Sequence, residues 1–259
     1  MNPDLDLAME MADAADVITI RHFRSVDMVV DTKPDLTPVT EADRAVENAV
    51  AERLAFARPD HALVGEEFGI RGSERARARW IVDPIDGTKN YVRGIPVFAT
   101  LLALEVDGEI VAGVASAPAL GRRWYAARGE GAFADGERIR VSTISSLGDA
   151  HLSHSGLEGW RTMGRLAQLC DLAQECARSR GFGDFWQHML VAQGSVDVAI
   201  EPEVELWDLA ALQVIVEEAG GRFSDLGGTR TAAGGNVISS NGLVHEQVLA
   251  RINAEPASP

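Results

Sequence analysis

Apolar residues recur at Leu5, Ala8, Ala12, Ala15 and Ile18, a spacing of three to four that predicts a helix over 5–23. After an apolar run at 28–30, the segment 33–38 contains Pro34 and Pro38, which forbid helix and require a loop. Val46, Val50 and Leu54 restore the helical period, with Thr40 as N-cap and Asp43 three positions on. Short strands are predicted at 62–64 and 80–83, and the intervening 69–79, with Arg71, Arg75, Arg77 and Arg79, reads as an exposed, mobile loop. The apolar runs 97–106 and 109–117 flank Asp107-Gly108, a strong hairpin signal, and further strand is expected at 124–127 and 138–141. Helices then follow at 161–179, 184–193 and 208–219 and from Leu243 onward, with strands at 196–200, 222–223 and 237–238. The pattern predicts an α/β (α+β) chain with a soft boundary near residue 145: an N-terminal half, 1–145, of helices and antiparallel sheet, and a C-terminal half, 146–259, that alternates.

The chain has 259 residues, 46% hydrophobic and 24% charged, an ordinary globular composition. Its 24 basic and 39 acidic residues leave a net charge of −15, which argues against broad electrostatic binding of nucleic acid or an anionic membrane. An anionic substrate must be met locally, by metal ions or backbone dipoles. Cys170 and Cys176 fall in one predicted helix, on different faces, and suit a reducing compartment. The apolar run 97–104 is too short to span a membrane, and Asp4, Asp6 and Glu10 do not fit a secretory leader, so a cytoplasmic location is expected.

Chemistry concentrates where the strand 80–83 runs into Pro84-Ile85-Asp86-Gly87-Thr88. Asp83 and Asp86 flank a kink that exposes the Ile85 carbonyl, giving three hard oxygen donors in four residues, a set suited to Mg²⁺. Gly87 and Thr88 add backbone N–H groups at a helix start, where a phosphate is favoured. Taken singly, each feature has a plainer reading. Asp83 and Asp86 could shape an Asx turn, Glu66 could be a solvated loop acid, and Asp208 could be a helix N-cap. Their combination points to a metal site. No Gly-x-Ser-x-Gly turn or Walker loop competes, and the histidines, among them His22, His61, His154 and His188, lack metal-ligand spacing.

Gly65-Glu66-Glu67, Trp80-Ile81-Val82-Asp83-Pro84-Ile85-Asp86-Gly87-Thr88 and Trp207-Asp208-Leu209-Ala210 resemble, in order, the signature segments of the inositol monophosphatase family. The resemblance extends over Thr40 to Asp43 and 196–201 and implies a layered αβαβα sandwich. It implies that Glu66, Asp83 and the Ile85 carbonyl hold one Mg²⁺ and that Asp83, Asp86 and Asp208 hold a second, with Glu66 near a weaker third. Thr88 and Asp43 match the pair that orients and deprotonates the attacking water, although Asp43 also reads as the capping-box partner of Thr40. The implied reaction is in-line hydrolysis of a phosphomonoester without a phosphoenzyme. A homodimer and inhibition by Li⁺ are implied as well.

In the family's layout Gly87, Thr88, Arg180, Asp184, Glu201 and Asp208 fall at or beside the substrate. Asp184 and Glu201 together suit a cationic alcohol such as histidinol, while Asp184 reads equally as the cap of helix 184–193. Residues 31–40, 90–94, 116–119 and 183–185 are similar to a histidinol-phosphate phosphatase branch of the family found in actinobacteria, which serves histidine biosynthesis. The rivals are an inositol-1-monophosphatase or broad sugar phosphatase and, in another class, a regulatory or RNA-associated binding protein.

Overall fold

Alternate side chains of the central strands leave the sheet on opposite faces, and that alternation builds the layers. The computed structural model describes residues 2–26, 30–32 and 38–254. The first elements are α1 (Pro3–His22), a ribbon of β1 (Val30–Thr32) and β2 (Pro38–Thr40), and α2 (Glu41–Ala57). β3 (Ala62–Gly65), β4 (Gly69–Arg71), β5 (Ala78–Asp86), α3 (Thr88–Val92), β6 (Ala99–Val106), β7 (Glu109–Ala117), β8 (Arg122–Ala127), β9 (Gly131–Ala134) and β10 (Glu137–Arg138) follow. The later part comprises β11 (His151–His154), α4 (Leu157–Thr162), α5 (Leu166–Glu175), β12 (Arg178–Arg180), α6 (Asp184–Ala192), β13 (Val198–Glu201) and α7 (Leu206–Glu218). It closes with β14 (Arg222–Ser224), β15 (Val237–Ser240) and α8 (His245–Ile252).

Eight strands form one sheet in the order β10-β9-β8-β7-β6-β5-β3-β4, and five form a second in the order β12-β11-β13-β15-β14. Trp80, Val82, Leu102 and Leu104 face α1 and α2, whereas Ile81, Leu101 and Ala103 face the interior shared with α6 and α7. α5 and α8 cover the far side of the second sheet, completing the expected αβαβα layering. α7 is buried continuously from Leu209 to Val216, as a helix between two sheets must be. Its approach depends on Gly113 of β7, where an added Cβ would lie 2.7 Å from Val214 Cγ1 and 2.8 Å from the Ala211 carbonyl oxygen. Gly113→Val is therefore expected to destabilise the fold by about 2–3 kcal/mol, read as a melting temperature lowered by about 5–10 °C.

The predicted hairpin is present: Val106 pairs with Glu109 across Asp107 (φ 51°) and Gly108 (φ 85°), both in the left-handed region a two-residue turn needs. Three expectations change, and one strand appears that none foresaw. The segment 69–79 is not simply a loop, because β4 forms the sheet edge and Arg79 lies within β5, paired through both guanidinium arms with Glu105. The strand expected at 138–141 lies earlier, as β10 pairing with β9 around the Asp135-Gly136 turn. The helix expected over 161–179 is divided by Gly164 (φ 74°) into α4 and α5, so Cys176 caps α5 and Arg178–Arg180 becomes an edge strand. β11 had no sequence signal, since four residues of which three are polar leave no alternation to detect. The apolar positions 28–29 and the segment 33–37 lie outside the described residues. Among those described, no helix is long and apolar enough to cross a membrane.

Candidate active site

The capping box anticipated at Thr40 forms at the start of α2. Asp43 Oδ2 accepts from the Thr40 backbone N–H (2.8 Å) and hydroxyl (2.6 Å). Asp43 Oδ1 is buried and has no hydrogen-bond partner among the described residues. Burial, only partly offset by the Thr40 bonds, pushes this carboxyl up to about 6.

One helical turn on, the buried Glu47 carboxylate accepts from the backbone N–H groups of Glu67 (2.8 Å) and Phe68 (3.1 Å), which ties down the turn that carries Glu66. Gly65 is required there, because an added Cβ would lie 2.2 Å from the Glu47 carboxylate.

In β5 the pairing with β6 is irregular between Asp83 and Asp86, which accommodates Pro84 inside the sheet. Asp83 Oδ1 accepts from Ile85 N–H at 2.9 Å, so the Asx turn is real, yet it leaves the second carboxylate oxygen for other work. Gly87 (φ 79°) then turns the chain into α3. Thr88 Oγ1 donates to the Ile85 carbonyl at 2.9 Å, leaving that oxygen a second lone pair.

Asp208 enters from α7. It is the third helical residue rather than the N-cap, which is Glu205, and its Oδ2 accepts from Glu205 N–H at 2.8 Å. Asp83, Asp86 and Asp208 each offer an oxygen within 4.8 Å of the others.

All the sequence-selected residues except Asp43 and Arg180 line one cleft of about 520 Å³. Asp43 lies beneath it, near enough to α3 that its charge adds to burial in raising the Tyr91 phenol. Arg180 is exposed on β12 and lines a separate, smaller recess with Arg178 and Phe182. Asp184 does not cap its helix; it occupies the first position of α6 at φ 48°, and its Oδ2 accepts from Asn90 Nδ2 at 2.8 Å. The same Asn90 nitrogen donates to the Val97 carbonyl, so it ties the end of the Gly87 turn to the acid that begins α6. Sequence reasoning missed Asn90 as a site residue although it lies two positions beyond Thr88. It also missed Lys89, the only basic residue among the described residues that line the cleft, together with Glu203 and Glu205 at its rim.

The electrostatics ask for a cation. Asp83 and Asp86 are raised well above the carboxylate range, chiefly by burial, then by Glu66 and Asp86 acting on Asp83 and by Asp184 and Asp208 acting on Asp86. Burial is also the main cause that lifts Asp208 to about 7 and Asp184 to about 6. Asp208, lifted to about 7 by burial and by the charges of Glu66 and Glu201, keeps a proton for part of the time near neutral pH, which relieves repulsion among these acids. A divalent ion would replace that proton, and a set of carboxylates with a free carbonyl lone pair fits a hard cation of the Mg²⁺ kind.

Raised carboxyls favour the metal-free fold fully below 3.8, and that contribution is lost as the pH climbs through about 6 and 7. At pH near 7.5, Mg²⁺ at about a hundred times its Kd is expected to stabilise the protein by about 2.7 kcal/mol. The gap between Mg²⁺-loaded and metal-free melting temperatures should narrow toward pH 5.5, where protons compete. A gap independent of pH in a thermal melt would count against the carboxylates as the ligands.

The profile of the inositol monophosphatase family matches residues 1–257. A histidinol-phosphatase of Mycobacterium tuberculosis is 52% identical over 257 residues, covering 97% of this chain and 98% of that protein. A histidinol-phosphatase of Streptomyces coelicolor is 49% identical, covering 96% and 97%. Among solved structures, an IMPase/NADP phosphatase in complex with Mg²⁺ and phosphate superposes with a TM-score of 0.85 at 26% identity, over 96% of this chain and 95% of that one. With three acids converging at the point where the β5 bulge meets the α7 N-terminus, and similarity running almost end to end, this chain belongs to the inositol monophosphatase family.

Proposed function

We propose that the protein is a Mg²⁺-dependent phosphomonoesterase that hydrolyses L-histidinol phosphate to L-histidinol and phosphate in histidine biosynthesis. The observation that carries this reading is a single cleft that joins the Asp83–Asp86–Asp208 cluster and the Gly87-Thr88 turn to two further acids, Asp184 and Glu201. The likeness to histidinol-phosphatases at about half identity supports the substrate.

Glu66, Asp83 and the Ile85 carbonyl would hold one cation, and Asp83, Asp86 and Asp208 another, for two or three per site. When bound, such ions supply an acidified water and neutralise charge on the phosphoryl and leaving oxygens. Gly87 and Thr88 present backbone donors to the phosphate. Thr88 and Asp43, the latter with a bare buried Oδ1 on a carboxyl lifted to about 6, would orient the attacking water and take up its proton. Asp184 and Glu201 face the ammonium and imidazole of the alcohol, which a neutral polyol would not require. Arg180, on β12, is assigned to the substrate side only through a second subunit or a movement of that edge. A homodimer, a cytoplasmic location, Li⁺ sensitivity and a division of the chain near residue 145 belong to the same proposal, with no role for nucleic acid or membrane.

The test is phosphate release with Mg²⁺ from L-histidinol phosphate and from myo-inositol 1-phosphate at equal concentrations. Strong preference for the first is expected. Preference for the second would leave the metal chemistry standing and remove the histidine-pathway reading. Hydrolysis of neither would favour the binding-protein alternative.

A further inference from the structure

We propose that His188 is a positioning residue that sets substrate selectivity by orienting Glu201, a role that rests on the reading above that Glu201 meets a cationic leaving group. His188 is fully buried on α6 and does not line the cleft. Its Nε2 lies 2.9 Å from Glu201 Oε1 and its Nδ1 lies 2.7 Å from Ser239 Oγ. A carboxylate only accepts, so Nε2 carries a proton and donates to Glu201, while Nδ1 is hydrogen-bonded with the Ser239 hydroxyl. The result is a chain, Ser239–His188–Glu201, running from β15 through α6 to β13.

The ring is held on every side that matters. Ser239 sits opposite Ala199 in the sheet register, two residues before Glu201, and the Phe223 ring flanks the imidazole at 6.3 Å between centroids. With Oε1 tied back, Oε2 is the oxygen left for the cleft: no hydrogen bond from another described residue reaches it, and Glu201 lines that cavity with its side chain 9% exposed. Asp184 lies four residues before His188, on the same face of α6. One helix therefore delivers one acid directly and aims the second through its histidine. A buried donor that fixes a carboxylate matters for a charged group that must be met at a set position, and matters far less for a neutral ester gripped by metal and phosphate contacts alone.

The experiment compares kcat and KM for L-histidinol phosphate and for glycerol 2-phosphate in wild type, His188→Leu, His188→Gln and Ser239→Ala, with thermal melts of each. Loss of one charge-assisted bond is expected to raise KM for L-histidinol phosphate about 10- to 30-fold in His188→Leu, with kcat/KM for glycerol 2-phosphate changed by no more than about threefold. His188→Gln, which retains a donor near Nε2, should recover most of the difference. Ser239→Ala should shift selectivity the same way by a few-fold, and it keeps the test decisive if His188→Leu does not fold. Parallel losses on both esters, or unchanged selectivity in the folded variants, would overturn the role of His188. Absence of any preference in the wild type would instead overturn the substrate reading on which it rests.

Discussion

Asp83→Asn is expected to lower Mg²⁺-supported phosphate release by about 10³- to 10⁴-fold, while the metal-free variant melts higher than the metal-free wild type. The two signs have one cause. Asp83 is fully buried and is raised by burial and by Glu66, Asp86, Asp208 and Asp43, so as a carboxylate it is unfavourable until a cation compensates it. Asparagine keeps the oxygen that accepts from Ile85 N–H and can donate toward Asp208, which preserves the turn. Removing one charge from this cluster should stabilise the metal-free protein by about 1 kcal/mol, or about 2–4 °C in melting temperature. The loss of activity should exceed that of Glu66→Gln, because Asp83 alone stands in both proposed ligand sets. Retained turnover, or a metal-free melt that falls, would show that Asp83 serves the Asx turn and nothing more.

Asp184→Asn should separate binding of the alcohol from the chemistry at phosphorus. Asp184 holds φ 48°, a conformation asparagine tolerates as readily as aspartate, and the amide oxygen can still accept from Asn90. Only the charge changes. The expected outcome is a fall of about 10- to 100-fold in kcat/KM for L-histidinol phosphate and a much smaller change for a neutral phosphate ester. Equal losses on both substrates, measured side by side, would mean that Asp184 acts through Asp86, whose Oδ2 accepts from the neighbouring Phe185 N–H at 2.8 Å. The variant should also relieve the repulsion that Asp184 exerts on Asp86 and so ease metal-free folding.

These expectations draw on both levels of description. The main elements followed from strong periodicities, since α1, α2, the β6–β7 hairpin and α7 each carry a long run of one period or an unmistakable turn, whereas the αβαβα layering was implied only by the family resemblance. The weak elements escaped: β4, Gly69-Ile70-Arg71, and β12, Arg178-Ser179-Arg180, are three-residue edges, and β11 is too short and polar to alternate. Edge strands pair on one side only, so their sequences look like those of loops.

What the sequence determined by itself was the local machinery. The Thr40–Asp43 capping box, the Asp83–Ile85 turn, the left-handed Gly87 and the hairpin at Asp107-Gly108 are all closed by bonds between near neighbours, and such bonds depend on residue type and spacing. Tertiary structure decided everything that joins distant segments. It brought Asp208 against Asp83 by threading α7 between two sheets over Gly113, turned Asp184 from a helix cap into a partner of Asn90, and buried His188 behind Glu201. It also set the charge state of the cleft, because the displacement of these carboxyls comes chiefly from burial, a property that no residue possesses until the rest of the chain has closed around it.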